Sequence, residues 1–167
     1  VRDLLTWLIA QPRAKKILDE FKSAFCNRNQ HGHCFFVSSG RAAMYLLFRA
    51  LRKLSDPGKT HVIVPSYTCY SVPAAAIRAG LRVRVIDIDP VTLSYNLEQL
   101  TGTDFSNVLA IVSANLYGMP NDLPAIAALA RQQGVYFVDD AAQSLGATIN
   151  GQPLAGDVLA GVRGVEH

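Results

Sequence analysis

Val135-Tyr136-Phe137-Val138-Asp139-Asp140-Ala141-Ala142-Gln143 carries an apolar, β-forming run into two adjacent carboxylates and then into small residues. Runs of this kind suit strands covered on both faces. Working outward, comparable runs lie at Cys34 to Ser38, His61 to Val64, Arg82 to Asp87 and Val108 to Ser113, and each is expected to be a strand. Helical patterns separate them. Alternation of this sort predicts an α/β fold of three layers around a mostly parallel sheet.

The helices have legible ends. An amphipathic helix is expected over roughly residues 3 to 25, and a crossover helix from Arg41 to Leu54, with Ala43, Leu47, Ala50, Leu51 and Leu54 as its apolar stripe and Pro57-Gly58 as its stop. A second crossover helix starts near Ser71, tolerates Pro73 in its first turn and stops at Gly80. A third follows Asn121-Asp122, a good capping pair, and ends at Gly134. Asn150-Gly151 reads as a hairpin turn between two short strands.

With 167 residues, half of them hydrophobic, the chain is long enough to bury a real core. No apolar stretch approaches the length that spans a bilayer, and the first residues make a poor signal peptide, so a cytoplasmic protein with no membrane partner is expected. An odd set of cysteines, Cys26, Cys34 and Cys69, argues for reduced thiols. The net charge of +3 is uneven: residues 1 to 60 carry 11 Lys/Arg against 4 acids, and residues 61 to 167 carry 5 against 9. The basic part is not a run. Arg49, Arg52 and Lys53 fall in the last turns of a helix, where cations favour the dipole, and no recognition motif accompanies them, so no nucleic-acid partner is expected.

In an open α/β sheet, ligands sit at the carboxyl ends of the strands. Three junctions qualify here. Val37-Ser38-Ser39-Gly40-Arg41 feeds a helix whose free N–H groups suit a phosphate, or it is only a cap and a turn. Pro65-Ser66-Tyr67-Thr68-Cys69-Tyr70 gathers hydroxyls and rings that either stack on a planar ligand or pack the sheet edge. Asp139-Asp140 needs a partner: a protonated ring nitrogen, a metal ion, or the N–H groups of the next loop.

Taken in order with Asp87-Ile88-Asp89-Pro90 and Leu116-Tyr117-Gly118-Met119-Pro120-Asn121-Asp122, these junctions resemble the DegT/DnrJ/EryC1/StrS family of sugar aminotransferases over residues 36 to 157. The resemblance implies the large domain of fold type I and pyridoxal 5'-phosphate (PLP) as cofactor. It also implies a homodimer that moves an amino group, usually from glutamate, onto a nucleotide-linked keto sugar. By position, Ser39, Gly40 and Arg41 match the phosphate turn, although the family commonly has Gly-Thr there. Asp140 matches the aspartate that binds the pyridine nitrogen, and Gln143 the residue near the ring hydroxyl. Asp139 stands where the family often has Glu and reads as structural. Cys69 occupies the place of a stacking aromatic residue, a role open to Tyr70 or Tyr67.

PLP transamination needs a lysine that forms a Schiff base and shuttles the proton. The five lysines, Lys15, Lys16, Lys22, Lys53 and Lys59, all precede the second strand, and none follows Gly156-Asp157, where the family places it. No catalytic residue is therefore identified. The expected organisation is a helical segment over 1–35 and a partial PLP-binding large domain over 36–167, the C-terminal small domain being absent and the fragment inactive. The terminal Val165-Glu166-His167 fits a cloning scar or a tag. Three alternatives stay open: a non-catalytic binding or dimerisation module, a PLP-dependent sugar dehydratase with His167 replacing the lysine, and a nucleotide-sugar transferase using Asp87 and Asp89 on a cation. Cys26, His31, His33 and Cys34 fit no standard zinc spacing, so no metal is expected.

Overall fold

The computed structural model describes residues 2–29, 33–149, 152–153 and 161–163. The chain divides into two compact units, 1–36 and 37–167. In the first, helix α1 (Arg2–Asn29) runs slightly past both expected ends. Phe21 stacks on Phe36 with ring centroids 5.2 Å apart, and Phe25 meets both rings. The expected strand at Cys34 to Ser38 is not formed. Its aromatic residues serve local packing, with Phe36 on the rings of α1 and Phe35 under the Lys22 ammonium, rather than a place in the sheet.

The second unit alternates helices and strands: α2 (Gly40–Leu54), β1 (His61–Pro65), α3 (Ser71–Arg78), β2 (Arg82–Ile86), α4 (Leu97–Thr101), β3 (Val108–Ala114), α5 (Leu123–Gln132) and β4 (Tyr136–Asp140). A short pair, β5 (Thr148–Ile149) and β6 (Gln152–Pro153), is antiparallel, as the hairpin reading requires, although Asn150-Gly151 itself lies outside the described residues. The main sheet has the order β2-β1-β3-β4-β7, with β7 at Gly161–Arg163. Its first four strands are parallel; β7 is antiparallel to β4.

Both faces of the sheet are covered, which gives the three layers. On one face Met44, Phe48 and Leu51 of α2 and Val72 and Ala76 of α3 pack on Val62, Val64, Val112 and Val138. On the other, Ile126 and Leu129 of α5 pack with Tyr95, Leu100 and Phe105 on Ile63, Ile111 and Phe137. Every residue of β3 is buried, and its sequence is apolar but for Ser113. Each large side chain buried this way contributes about 1.5–3 kcal/mol.

The stripe of α2 is shifted from the one expected. Met44, Phe48 and Leu51 are buried, whereas Leu54 is 76% exposed and Ala50 is exposed too. Arg52 is exposed and donates to the Ala79 carbonyl at 3.1 Å. That contact fixes the residue after α3: Gly80 has φ +81°, and a Cβ there would run into the Arg52 guanidinium. Asp122 caps α5 by accepting from the Ala125 N–H, and Gly134 with φ +62° follows its end. Helix α4, capped by Asn96, is an element the sequence reading did not include.

Candidate functional site

The carboxyl ends of the parallel strands open onto a cavity of about 430 Å³, within the range of small-ligand pockets. Ser39, Gly40, Arg41, Cys69, Tyr70, Asp140 and Gln143, the seven residues matched by position to cofactor contacts, line it. Tyr67 does not: its hydroxyl pairs with that of Tyr117 at 2.7 Å, outside the lining.

One wall is the start of α2. Ser39 is extended and caps the helix, its Oγ accepting from the Ala42 N–H at 3.2 Å. The Gly40 and Arg41 N–H groups have no intrahelical acceptor, and the side of Gly40 where a Cβ would stand is open. Arg41 Nη2 donates to the Tyr70 hydroxyl at 2.7 Å, and its guanidinium lies 5.2 Å from that ring's centre. Next to them the Ser71 hydroxyl donates to Cys69 Sγ at 3.0 Å. This bond, with the Ser71 N–H and the Arg41 charge, lowers the Cys69 thiol below its ordinary value against the opposing effects of burial and Asp140.

The end of β4 supplies the opposite wall. Side chains alternate along a strand, so Asp140 leaves on the face of Val138, which α2 and α3 cover, and Asp139 on the face of Phe137. Asp140 lines the cavity and accepts from the Ala142 N–H at 3.1 Å; burial raises its carboxyl above the ordinary range, and that N–H only partly offsets the rise. Asp139, expected to be structural, is buried and accepts from Asn115 Nδ2 at 2.9 Å. Gln143 Oε1 accepts from the Tyr117 N–H at 2.7 Å.

Sequence reasoning missed the supports of this site. Asn115 accepts from the Asn121 N–H, and Asn121 Nδ2 donates to the Ala114 carbonyl at 2.6 Å, a buried network that sets the turn after β3. The run Leu116 to Asn121 was legible only as a motif. Thr68 also lines the cavity; its Oγ1 is buried with no hydrogen-bond partner among the described residues. The acids of the transferase alternative are occupied in turns: Asp89 Oδ1 accepts from the Val91 and Thr92 N–H groups and the Thr92 hydroxyl, and Asp87 Oδ1 from the Ser66 hydroxyl and the Ile88 N–H. His31, Gly156-Asp157 and His167 lie outside the described residues.

The model of the DegT/DnrJ/EryC1/StrS aminotransferase family matches residues 10–159. The chain belongs to this family. Among DegT/DnrJ/EryC1/StrS relatives, a UDP-N-acetyl-3-dehydro-alpha-D-glucosamine 3-aminotransferase of Acidithiobacillus ferrooxidans is 34% identical over 120 residues, covering 72% of this chain and 32% of its own. A GDP-4-keto-6-deoxy-D-mannose 3-dehydratase of Yersinia pseudotuberculosis is 34% identical over 119 residues, covering 70% of this chain and 30% of its own. The solved E. coli GDP-4-keto-6-deoxy-D-mannose-3-dehydratase with bound hydrated PLP superposes with a TM-score of 0.71 at 28% identity, covering 80% of this chain and 35% of that one. The chain thus has the fold type I architecture of PLP-dependent DegT/DnrJ/EryC1/StrS enzymes, and spans about a third of the length of the curated relatives it matches.

Proposed function

We propose that this chain supplies the ring and phosphate contacts of a PLP site in an aminotransferase acting on a nucleotide-linked keto sugar, with a donor such as glutamate. The observation that carries the proposal is the placement of Asp140. Its carboxylate lines the cavity with no cation bonded to it, raised by burial, so a protonated pyridine nitrogen is the kind of partner it lacks. The first N–H groups of α2 and the Arg41 guanidinium suit the phosphate. Thr68 Oγ1, buried and unpartnered, is a further hydroxyl at the same cavity.

When bound, PLP supplies an electron sink for a carbon bearing an amino group. Asp140 would keep the ring nitrogen protonated, Gln143 would meet the ring hydroxyl, and Tyr70 and Cys69 would flank the ring. The amine that moves the proton is not among the groups gathered here: none of the five lysines lines the cavity, and Lys59 Nζ is bonded to the Phe105 carbonyl. In this proposal the chain by itself binds cofactor and turns over no sugar. A PLP-dependent sugar dehydratase is the second reading, supported by the identity with the Yersinia 3-dehydratase.

A homodimer in the cytoplasm belongs to the same proposal; no helix among the described residues is long and apolar enough to cross a membrane. Titration of the protein with PLP, followed by visible absorbance, tests the reading. A saturable bound band that Asp140→Asn weakens is expected, and a folded protein without one would leave the non-catalytic module.

A further inference from the structure

Tyr117 has φ +56° and ψ +21°, a left-handed conformation that side chains other than glycine rarely adopt. Two bonds accompany it. Its hydroxyl pairs with that of Tyr67 at 2.7 Å, and its N–H donates to Gln143 Oε1 at 2.7 Å. At ordinary resolution the two ends of a glutamine amide are interchangeable. Here they are not, because a backbone N–H can only donate and so must face the carbonyl end. Gln143 Nε2 is left without a partner among the described residues, on a side chain that lines the cavity.

From this we infer that Tyr117 is a positioning residue: its N–H locks Gln143 as a donor toward the cavity, and the site therefore selects a ring that presents an acceptor, the ionised ring oxygen of PLP. The inference rests on the PLP reading above and deepens it. The Tyr67 hydroxyl tethers the Tyr117 ring and so holds the strained backbone that aims the N–H. A Gln143 free to rotate would serve a protonated or an ionised hydroxyl equally, and a locked one does not.

The test reads the ratio of ionised to neutral ring forms in the absorbance of bound PLP. Gln143→Glu keeps an acceptor for the Tyr117 N–H but turns an acceptor toward the ring, so the ionised-to-neutral ratio falls tenfold or more, one unit in the ring-oxygen pKa. Tyr117→Ala removes the tether and keeps the backbone strain, so it lowers the ratio in the same direction. Tyr117→Gly removes both and recovers the ratio, because glycine accepts the left-handed conformation. A purely structural role for the ring would put the Ala and Gly variants together, and that outcome, or a wild-type spectrum for Gln143→Glu, overturns the inference. Hydrogen exchange of the Tyr117 amide in cofactor-free protein gives a second readout. Gln143→Ala is expected to accelerate it at least tenfold, and an unchanged rate sinks the lock whatever PLP does. Absence of any bound band in the wild type instead brings down the PLP reading, and with it the choice of ring oxygen.

Discussion

Asp139 and Asp140 are consecutive in β4 yet serve opposite faces of the sheet: Asp139 is buried on an Asn115 amide, and Asp140 lines the cavity. One position along a strand separates a structural carboxylate from a ligand-facing one.

Asp140→Asn is expected to weaken PLP at least tenfold, since a hydrogen bond to a charged partner is worth about 1.5–3 kcal/mol. Spectrophotometric titration of both proteins measures it, and equal affinities would refute the assignment.

The same substitution should raise stability in the cofactor-free protein at neutral pH. Burial lifts the Asp140 carboxyl above its ordinary value, so the folded chain holds that proton more tightly than the unfolded chain. The favourable contribution is complete below the unfolded pKa, about 3.9, and is lost as pH rises through the folded value. Thermal unfolding should therefore show Asp140→Asn above the wild type at pH 7, with the gap closing as pH falls below the ordinary carboxylate range. A gap that widens on acidification contradicts the sign.

Arg41→Ala should weaken PLP about tenfold and pyridoxal, which has no phosphate, by clearly less, because the phosphate contact is lost for PLP alone while the bond to the Tyr70 hydroxyl is lost for both. Parallel titrations with the two compounds check this; equal losses would place Arg41 elsewhere.

Asn115→Ala removes the donor to Asp139 and the acceptor for the Asn121 N–H, both buried. Losing the bond to the Asp139 carboxylate and leaving the Asn121 N–H unsatisfied cost roughly 1–3 kcal/mol each. Urea denaturation should show the loss, and a value near zero would mean that the network is not set by Asn115.

Phe48→Ala should cost about 3–5 kcal/mol, since its side chain is fully buried against the sheet, whereas Leu54→Ala should stay within about 0.5 kcal/mol. Comparable losses in the two variants would restore the apolar stripe read from sequence.

That stripe shows where sequence reading stops. Of the four parallel strands, β1, β3 and β4 were legible because each is covered on both faces and reads as a mostly apolar run; the edge strand β2, with Val85 58% exposed, alternates Arg and Val, and Gly80 and Gly134 marked the ends of the helices before β2 and β4. Cys34 to Ser38 is as apolar, but its Phe36 ring packs on α1, and composition does not record which surface an aromatic residue meets. Within α2, Leu47, Leu51 and Leu54 are equivalent by residue type; the position of the sheet decides that Leu54 stays exposed. Seven of the lining residues were found because strand ends and helix starts are the places where polar groups have no regular partner. Asn115 escaped notice, and Asn121 and Thr68 were read only as half of a capping pair and as one hydroxyl of a loop, because an isolated Asn or Thr carries no further signal until its neighbours in space are known.

Residues 39 and 143 stand at the two extremes of the cavity lining, with the loop after β1 and the end of β3 between them. No local stretch of chain contains the cavity, and pairing of distant parallel strands is a slow, late event in folding. Occupancy of the cavity is thus a reporter of completed sheet assembly. Any small molecule that binds there also adds its linkage free energy to the unfolding transition as a whole, about 2.7 kcal/mol at a hundredfold excess over Kd.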